Sequence, residues 1–314
     1  MGGERTDLRE VIVRRLIAAV EEGVNLVVLV SDSTSTASIG PFAARFPDRL
    51  VNVGIAEQNL LGVSAGMARG GYVAVTASAA PFVVNRANEQ LKNDICYSES
   101  NVKVIALNAG FAYGSLASTH HAIDDISIVL GMGNILILAP SDPVECDGVF
   151  RFALEHVGPV YIRMDNLKFP ALHAPSCRFV PGALDVLREG GDVTLFAVGS
   201  VVFEAAAAAE ALAAEGISVH LVNMPSIRPL DREAVAAAAS RTCRVVTVEE
   251  HSLHGGLGSL VCGIAAERGL AIRVRRLGIP EGSFAKAGPR AELRRFYGID
   301  AAGIAAAVRE AARG

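Results

Sequence analysis

The chain has no apolar run approaching the roughly twenty residues that a membrane-spanning helix requires, so no spanning segment is expected. Its first residues, Met1 to Asp7, are polar and carry no apolar stretch of the sort that centres a secretory leader, which points to a cytoplasmic protein. Nor is there a run of Lys or Arg. With 29 basic residues against 33 acidic ones and a net charge of −4, neither nucleic acid nor an anionic membrane surface is expected as a partner. Cysteine is sparse and scattered, at Cys96, Cys146, Cys177, Cys243 and Cys262, with no Cys-x-x-Cys pair and no histidine at metal-ligand spacing. These thiols read as small buried hydrophobes in a reducing compartment, and neither disulfides nor a metal site is expected.

What the chain has is apolar and alternating. Hydrophobic residues make up 51% and charged residues 20%, enough for a full globular core, and 314 residues suit two domains rather than one. Strand-like runs (Leu26 to Val30, Val73 to Thr76, Val102 to Leu107, Asn134 to Leu138, Val160 to Arg163) alternate with Ala-rich helical ones, the pattern of α/β layers with mostly parallel sheets. The expected division is a first domain over 1–170, a linker over 171–189 that carries Pro175 and Pro181, and a second domain over 190–314. In the second domain the expected elements are a strand over Val193 to Val198, a helix over Phe203 to Glu215, and strands over Ser218 to Asn223 and Arg244 to Val248. The turn Gly255-Gly256-Leu257-Gly258 opens a further helix, and it reads as close packing rather than a phosphate cradle.

The most informative stretch is Val51-Asn52-Val53-Gly54-Ile55-Ala56-Glu57-Gln58-Asn59. A short apolar strand ends here, and Gln58 through Ala68 has apolar residues at helical spacing, so Glu57 falls at a strand-to-helix junction among free backbone N–H groups. A Glu in a first helical turn needs no more than the helix dipole to explain it. The segment nevertheless resembles the glutamate motif of thiamine-diphosphate enzymes of the transketolase and deoxyxylulose-phosphate synthase group. The resemblance implies that Glu57 hydrogen-bonds the aminopyrimidine of the cofactor and activates it. It extends through Gly70 to Ser78 and through Phe82-Val83-Val84-Asn85-Arg86-Ala87-Asn88-Glu89-Gln90, where Phe82 falls at the position that stacks on the pyrimidine.

The same resemblance covers Gly114 to Asp125, which is similar to the family's Thr-His loop. There His120 is implied to contact substrate hydroxyls and to move protons, a role that suits an imidazole. His121 is implied to lie beside it, with Asp124 and Asp125 capping the next helix. Arg163 matches an arginine that grips the distal end of a sugar phosphate. Asp32 and Thr36 complete the substrate-side set. Ile227 to Asp231 and Glu249 to Ser252 are similar to landmarks of the family's C-terminal domain, which supports dimerisation and does little chemistry.

One family motif is absent. The Gly-Asp-Gly that anchors the cofactor diphosphate and its Mg²⁺ does not occur; Gly190-Gly191-Asp192 and Cys146-Asp147-Gly148 are incomplete and lie where turns would. The resemblance therefore implies half an enzyme: a subunit completed by a separate chain that carries the diphosphate domain and the Mg²⁺ ligands, in an α2β2 assembly. The implied reaction is transfer of a two-carbon ketol unit from a ketose donor to a carbonyl acceptor.

Departures from the sugar-phosphate pattern bear on the acceptor. Leu116 and Ala117 replace an acid and a Gly, Asn108 replaces a His, and Ala79 and Asn85 replace aromatics near the cofactor ring. A wall with fewer hydroxyl partners implies an acceptor that is less hydroxylated or bulkier than a standard aldose phosphate, as in a specialised biosynthetic pathway. Alternatives are the β subunit of a 2-oxoacid dehydrogenase, a deoxyxylulose-phosphate-synthase-type subunit, and a catalytically silent structural or regulatory partner.

Overall fold

The structure is a computed structural model that describes residues 5–282 and 286–313. Residues 1–4, read above for a leader, lie outside the described residues. The chain divides into two compact units, Met1–Ala112 with Ile128–Phe179, and Tyr113–Ser127 with Val180–Gly314.

The first unit is built on a parallel sheet. Its strands are β1 (Leu26–Val30), β2 (Leu50–Asn52), β3 (Val73–Ala79), β4 (Val102–Leu107), β5 (Leu136–Leu138) and β6 (Val160–Arg163). They lie in the order β5-β6-β4-β3-β1-β2, and every one of these pairings is parallel. β1 and β4 are buried at every residue, as strands covered on both faces must be, which is why their sequences are continuous apolar runs. The helices α1 (Leu8–Glu21), α2 (Glu57–Arg69) and α3 (Pro143–Glu155) bury one face each; in α2 that face is Leu60, Leu61, Ser64 and Ala65.

The segment after β3 is wound wide. Phe82–Arg86 and Leu91–Tyr97 are π-helical, and the Ala87 N–H reaches back five residues to the Phe82 carbonyl at 3.1 Å. Such widened turns recur at functional sites.

The second unit holds a five-stranded sheet of β7 (Asp185–Arg188), β8 (Val193–Ala197), β9 (Val219–Asn223), β10 (Arg244–Ser252) and β11 (Arg273–Ile279), in the order β11-β10-β8-β9-β7. Its pairings are parallel except that β7 runs antiparallel to β9. The stretch 171–189, expected as linker throughout, thus ends in a strand: β7 is an edge strand with every other residue exposed, and its short alternating pattern hides among the flanking prolines and glycines. Helices α4 (Val202–Ala214), α5 (Arg232–Thr242), α6 (Leu257–Glu267), α7 (Arg290–Phe296) and α8 (Ala301–Arg313) complete the unit, with α4 packed on α8. Gly256 opens α6 beside Glu249, whose carboxylate accepts from the Leu257 and Gly258 N–H groups at 2.7 and 2.9 Å. A Cβ at Gly256 would stand 1.9 Å from that carboxylate, so the Gly-rich turn serves packing, as expected. Among the described residues no helix is long and apolar enough to cross a membrane.

Candidate active site

In open α/β sheets, ligands collect at the carboxyl ends of the strands, where neighbouring connections leave on opposite sides. In the first unit that place is between β1 and β3, since β1 is flanked by β2 on one side and β3 on the other. Asp32 follows β1, Glu57 follows β2, Ala79 ends β3 with Phe82 just beyond, Asn108 follows β4, and Arg163 ends β6. The sheet therefore gathers these sequence-predicted residues along one edge.

Polar bonds fix the loops at this edge. The Asn52 side-chain carbonyl accepts from the Asp32 and Gly54 N–H groups, each at 3.0 Å, which ties the ends of β1 and β2 together. Ser31 Oγ lies 2.7 Å from Ser78 Oγ, and Ser33 Oγ donates to the Ala77 carbonyl at 2.7 Å, which ties the β1 loop to β3. Asp32 sits at φ +55° and is exposed. Thr36 lies farther along the same loop, where its carbonyl accepts from Arg9 at 3.0 Å.

Glu57 occupies the first turn of α2 and is 3% exposed. A carboxylate at that depth requires a partner, and Arg86 Nη1 supplies one at 2.7 Å. The same guanidinium lies over the Phe82 ring, 4.4 Å from its centroid. One planar cation thus stacks on the aromatic and donates to the acid. Ala79 is buried and Asn85 exposed, so neither adds an aromatic wall.

Asn108 is 2% exposed, holds a left-handed φ of +61°, and its Oδ1 is buried without a hydrogen-bond partner. A strained, unsatisfied amide at a strand end is the sort of group that a ligand completes. Arg163 is 6% exposed, so its cation is held inside the protein rather than solvated.

The histidines belong to the second unit. Thr119 Oγ1 lies 2.9 Å from His120 Nδ1, and Tyr113 meets the His120 ring edge-on at 5.5 Å, so the half-buried imidazole is oriented from two sides. His121 is buried, with Nε2 3.0 Å from the Gly114 carbonyl; a carbonyl can only accept, so Nε2 carries the hydrogen. Burial pushes the His121 imidazole below its ordinary pKa and keeps it neutral. Leu116 is exposed. Ala117 adopts φ +61°, ψ −159°, a conformation that is normally reserved for glycine.

The chain matches two family descriptions in sequence: the transketolase pyrimidine binding domain over residues 4–170 and the transketolase C-terminal domain over residues 182–304. The chain belongs to the transketolase family.

Among its relatives, a protein of Actinobacillus succinogenes described as a subunit of an apulose-4-phosphate transketolase is 54% identical over 297 residues, covering 95% of this chain and 96% of that protein. The protein of the same description from Phocaeicola vulgatus is 34% identical over 290 residues, covering 92% of each chain. A solved structure described as a split gene transketolase, inactive beta4 tetramer, superposes with a TM-score of 0.89 at 37% identity and covers 98% of both chains. Transketolases depend on thiamine diphosphate with Mg²⁺, and this chain carries the family's pyrimidine-binding and C-terminal domains.

Sequence reasoning passed over Arg86 and Asn52. The spacing Phe82 to Arg86 was a usable signal, since residues four apart share a helix face. Asn52 gave none, because its work is done by a side chain bonding two backbone N–H groups across strands.

Proposed function

We propose that this chain supplies the pyrimidine-side half of a transketolase active site, with a separate subunit providing the diphosphate domain and the Mg²⁺ ligands. The observation that carries this reading is the Glu57–Arg86–Phe82 group. Arg86 offers Glu57 and Phe82 what an aminopyrimidine would offer them, a planar delocalised ring-like face for stacking and N–H donors in its plane for the acid. The residues therefore fit the cofactor. When bound, thiamine diphosphate supplies the electron sink that lets a carbon–carbon bond beside a carbonyl be broken and remade.

This chain's own residues do the rest. Glu57, buried and paired with Arg86, would hold the pyrimidine through a hydrogen bond, and Phe82 would stack on its ring. His120, oriented by Thr119 and Tyr113, contacts substrate hydroxyls and carries a proton between them. His121 has its Nε2 hydrogen committed to the Gly114 carbonyl. Asn108 uses its unpartnered Oδ1 on a substrate donor, and Arg163, Asp32 and Thr36 define the distal end.

The substrate class follows from two lines. Ala79, Asn85 and Asn108 of the first unit and Leu116 of the second each replace a bulkier or acidic residue of the standard pentose-phosphate pattern. The relatives at 54% and 34% identity are named for apulose-4-phosphate, and we extend that substrate to this chain. We place the reaction in the cytoplasm.

The test is Glu57→Ala in the assembled enzyme. Turnover on apulose-4-phosphate should fall by about a hundredfold or more, as loss of a group acting on the cofactor requires. Unchanged turnover would return the chain to the silent-partner reading.

A further inference from the structure

The C-terminal half of transketolase-type subunits is expected to do little chemistry, yet in this chain it is the half that holds the histidine loop. Tyr113–Ser127 packs with Val180–Gly314 as one compact unit, and the contact has two feet.

The first foot is Gly114. Its carbonyl accepts from the Gly288 N–H at 3.2 Å and from His121 Nε2 at 3.0 Å, so both of its lone pairs are in use, one on the C-terminal segment and one on the loop. The approach is close enough to demand glycine: a Cβ at Gly114 would stand 2.5 Å from the Gly288 carbonyl oxygen. The second foot lies at the other end of the loop. Ser252 N–H, at the end of β10, donates to the Ile123 carbonyl at 2.7 Å. Next to it the fully buried His251 directs Nε2 toward Asp125 Oδ1 at 3.9 Å. Gly255, at φ +68°, lets the chain pass so near the loop that a Cβ there would stand 2.5 Å from Ser127 Cβ.

Between the feet sits Ala117, at φ +61° and ψ −159°. A non-glycine residue in that region costs about 1–3 kcal/mol and persists only where its surroundings over-determine it. A free loop would relax.

We infer that the C-terminal unit is the seat of the Thr-His-His loop, with Gly114 and Gly255 as positioning residues that set where His120 stands. The catalytic part of this inference rests on the role proposed above for His120. Glycine at these places does not serve flexibility: at Gly114 it lets two backbones meet, and at Gly255 it makes room for Ser127 Cβ.

The experiment uses the assembled enzyme and the variants Gly114→Ala, Gly255→Ala, Gly255→Ala with Ser127→Gly, and His120→Ala. Hydrogen exchange should rise about tenfold or more in peptides covering 113–127 of either glycine variant, and stay unchanged in those covering 57–69. Turnover should fall roughly ten- to a hundredfold, as displacement of a catalytic group by an ångström does, while thiamine diphosphate affinity is retained. Removing the Ser127 side chain should restore exchange and turnover to Gly255→Ala in part, because the clash with Ser127 Cβ goes while the strain of Ala at φ +68° stays; a general loss of stability would only be deepened by the second change. Unchanged exchange in 113–127, or equal loosening of 57–69, overturns the seat. Full turnover in His120→Ala would instead overturn the role of His120, and the exchange result would still decide the seat.

Discussion

Lys103 has no exposure at all, yet it ends in an ammonium that donates to Asn101 Oδ1 at 2.6 Å and to the carbonyls of His156 and Gly158 at 2.6 and 2.7 Å. Burial pulls its pKa down to about 7. The unfolded chain keeps that proton to about pH 10.4, so it binds more protons than the folded one across the interval, and stability rises with pH from about 7 to about 10. Urea midpoints measured across that window should climb, and Lys103→Met should flatten the climb. At Ala117 the expectation is opposite in kind: Ala117→Gly relieves a glycine-type conformation and should raise the thermal midpoint, by an amount worth about 1 kcal/mol, without loss of turnover. Arg86 gives a third residue-scale expectation. Its guanidinium covers the Phe82 face and the Glu57 carboxylate, the two surfaces assigned to the pyrimidine. Arg86→Ala should lower the thermal midpoint of the cofactor-free enzyme, because a buried acid loses its partner, and should tighten thiamine diphosphate binding, because a competitor is gone. Looser binding in calorimetry would mean that Arg86 holds the cofactor rather than standing in for it.

Among the elements, α3 shows how local chemistry fixes the scaffold. Asp142 caps it through the Glu145 N–H at 2.8 Å and also accepts from the Leu172 and His173 N–H groups at 2.6 and 2.9 Å, with no exposure of its own. Burial works to raise the Asp142 carboxyl, but hydrogen bonds from His173 and Glu145 outweigh it and hold the pKa below the usual value. Its stabilisation is therefore complete above the ordinary carboxylate pKa of about 3.9 and is lost as pH falls below that value. Asp142→Ala should cost about 2 kcal/mol or more in denaturant unfolding at neutral pH, a cap and two buried donors being lost together. Elements of this kind were legible to different degrees. β1, β4 and β6 fall where the apolar runs place them, because strands buried on both faces have no other sequence to use. α2 was legible from its small-residue periodicity. β7 was not, since an edge strand of four residues between prolines and glycines carries no apolar signal. The wide winding after β3 was hidden for another reason: a π-turn and an α-turn use the same residues. In the site, residue identities pointed to Glu57, Phe82 and His120, whereas the Arg86 bridge, the empty Asn108 acceptor and the twin feet of the histidine loop exist only once the backbone is folded.

For the molecule as a whole, the central proposal is a phosphate anchor supplied by another chain. The chain has both transketolase domains of its half and no Gly-Asp-Gly. The most direct measurement is calorimetric titration of thiamine diphosphate with Mg²⁺ into this chain alone and into the chain co-purified with a partner that carries Gly-Asp-Gly. Tight binding is expected in the complex and none in the chain by itself; tight, stoichiometric binding to the isolated chain would mean that it needs no second subunit to hold the cofactor.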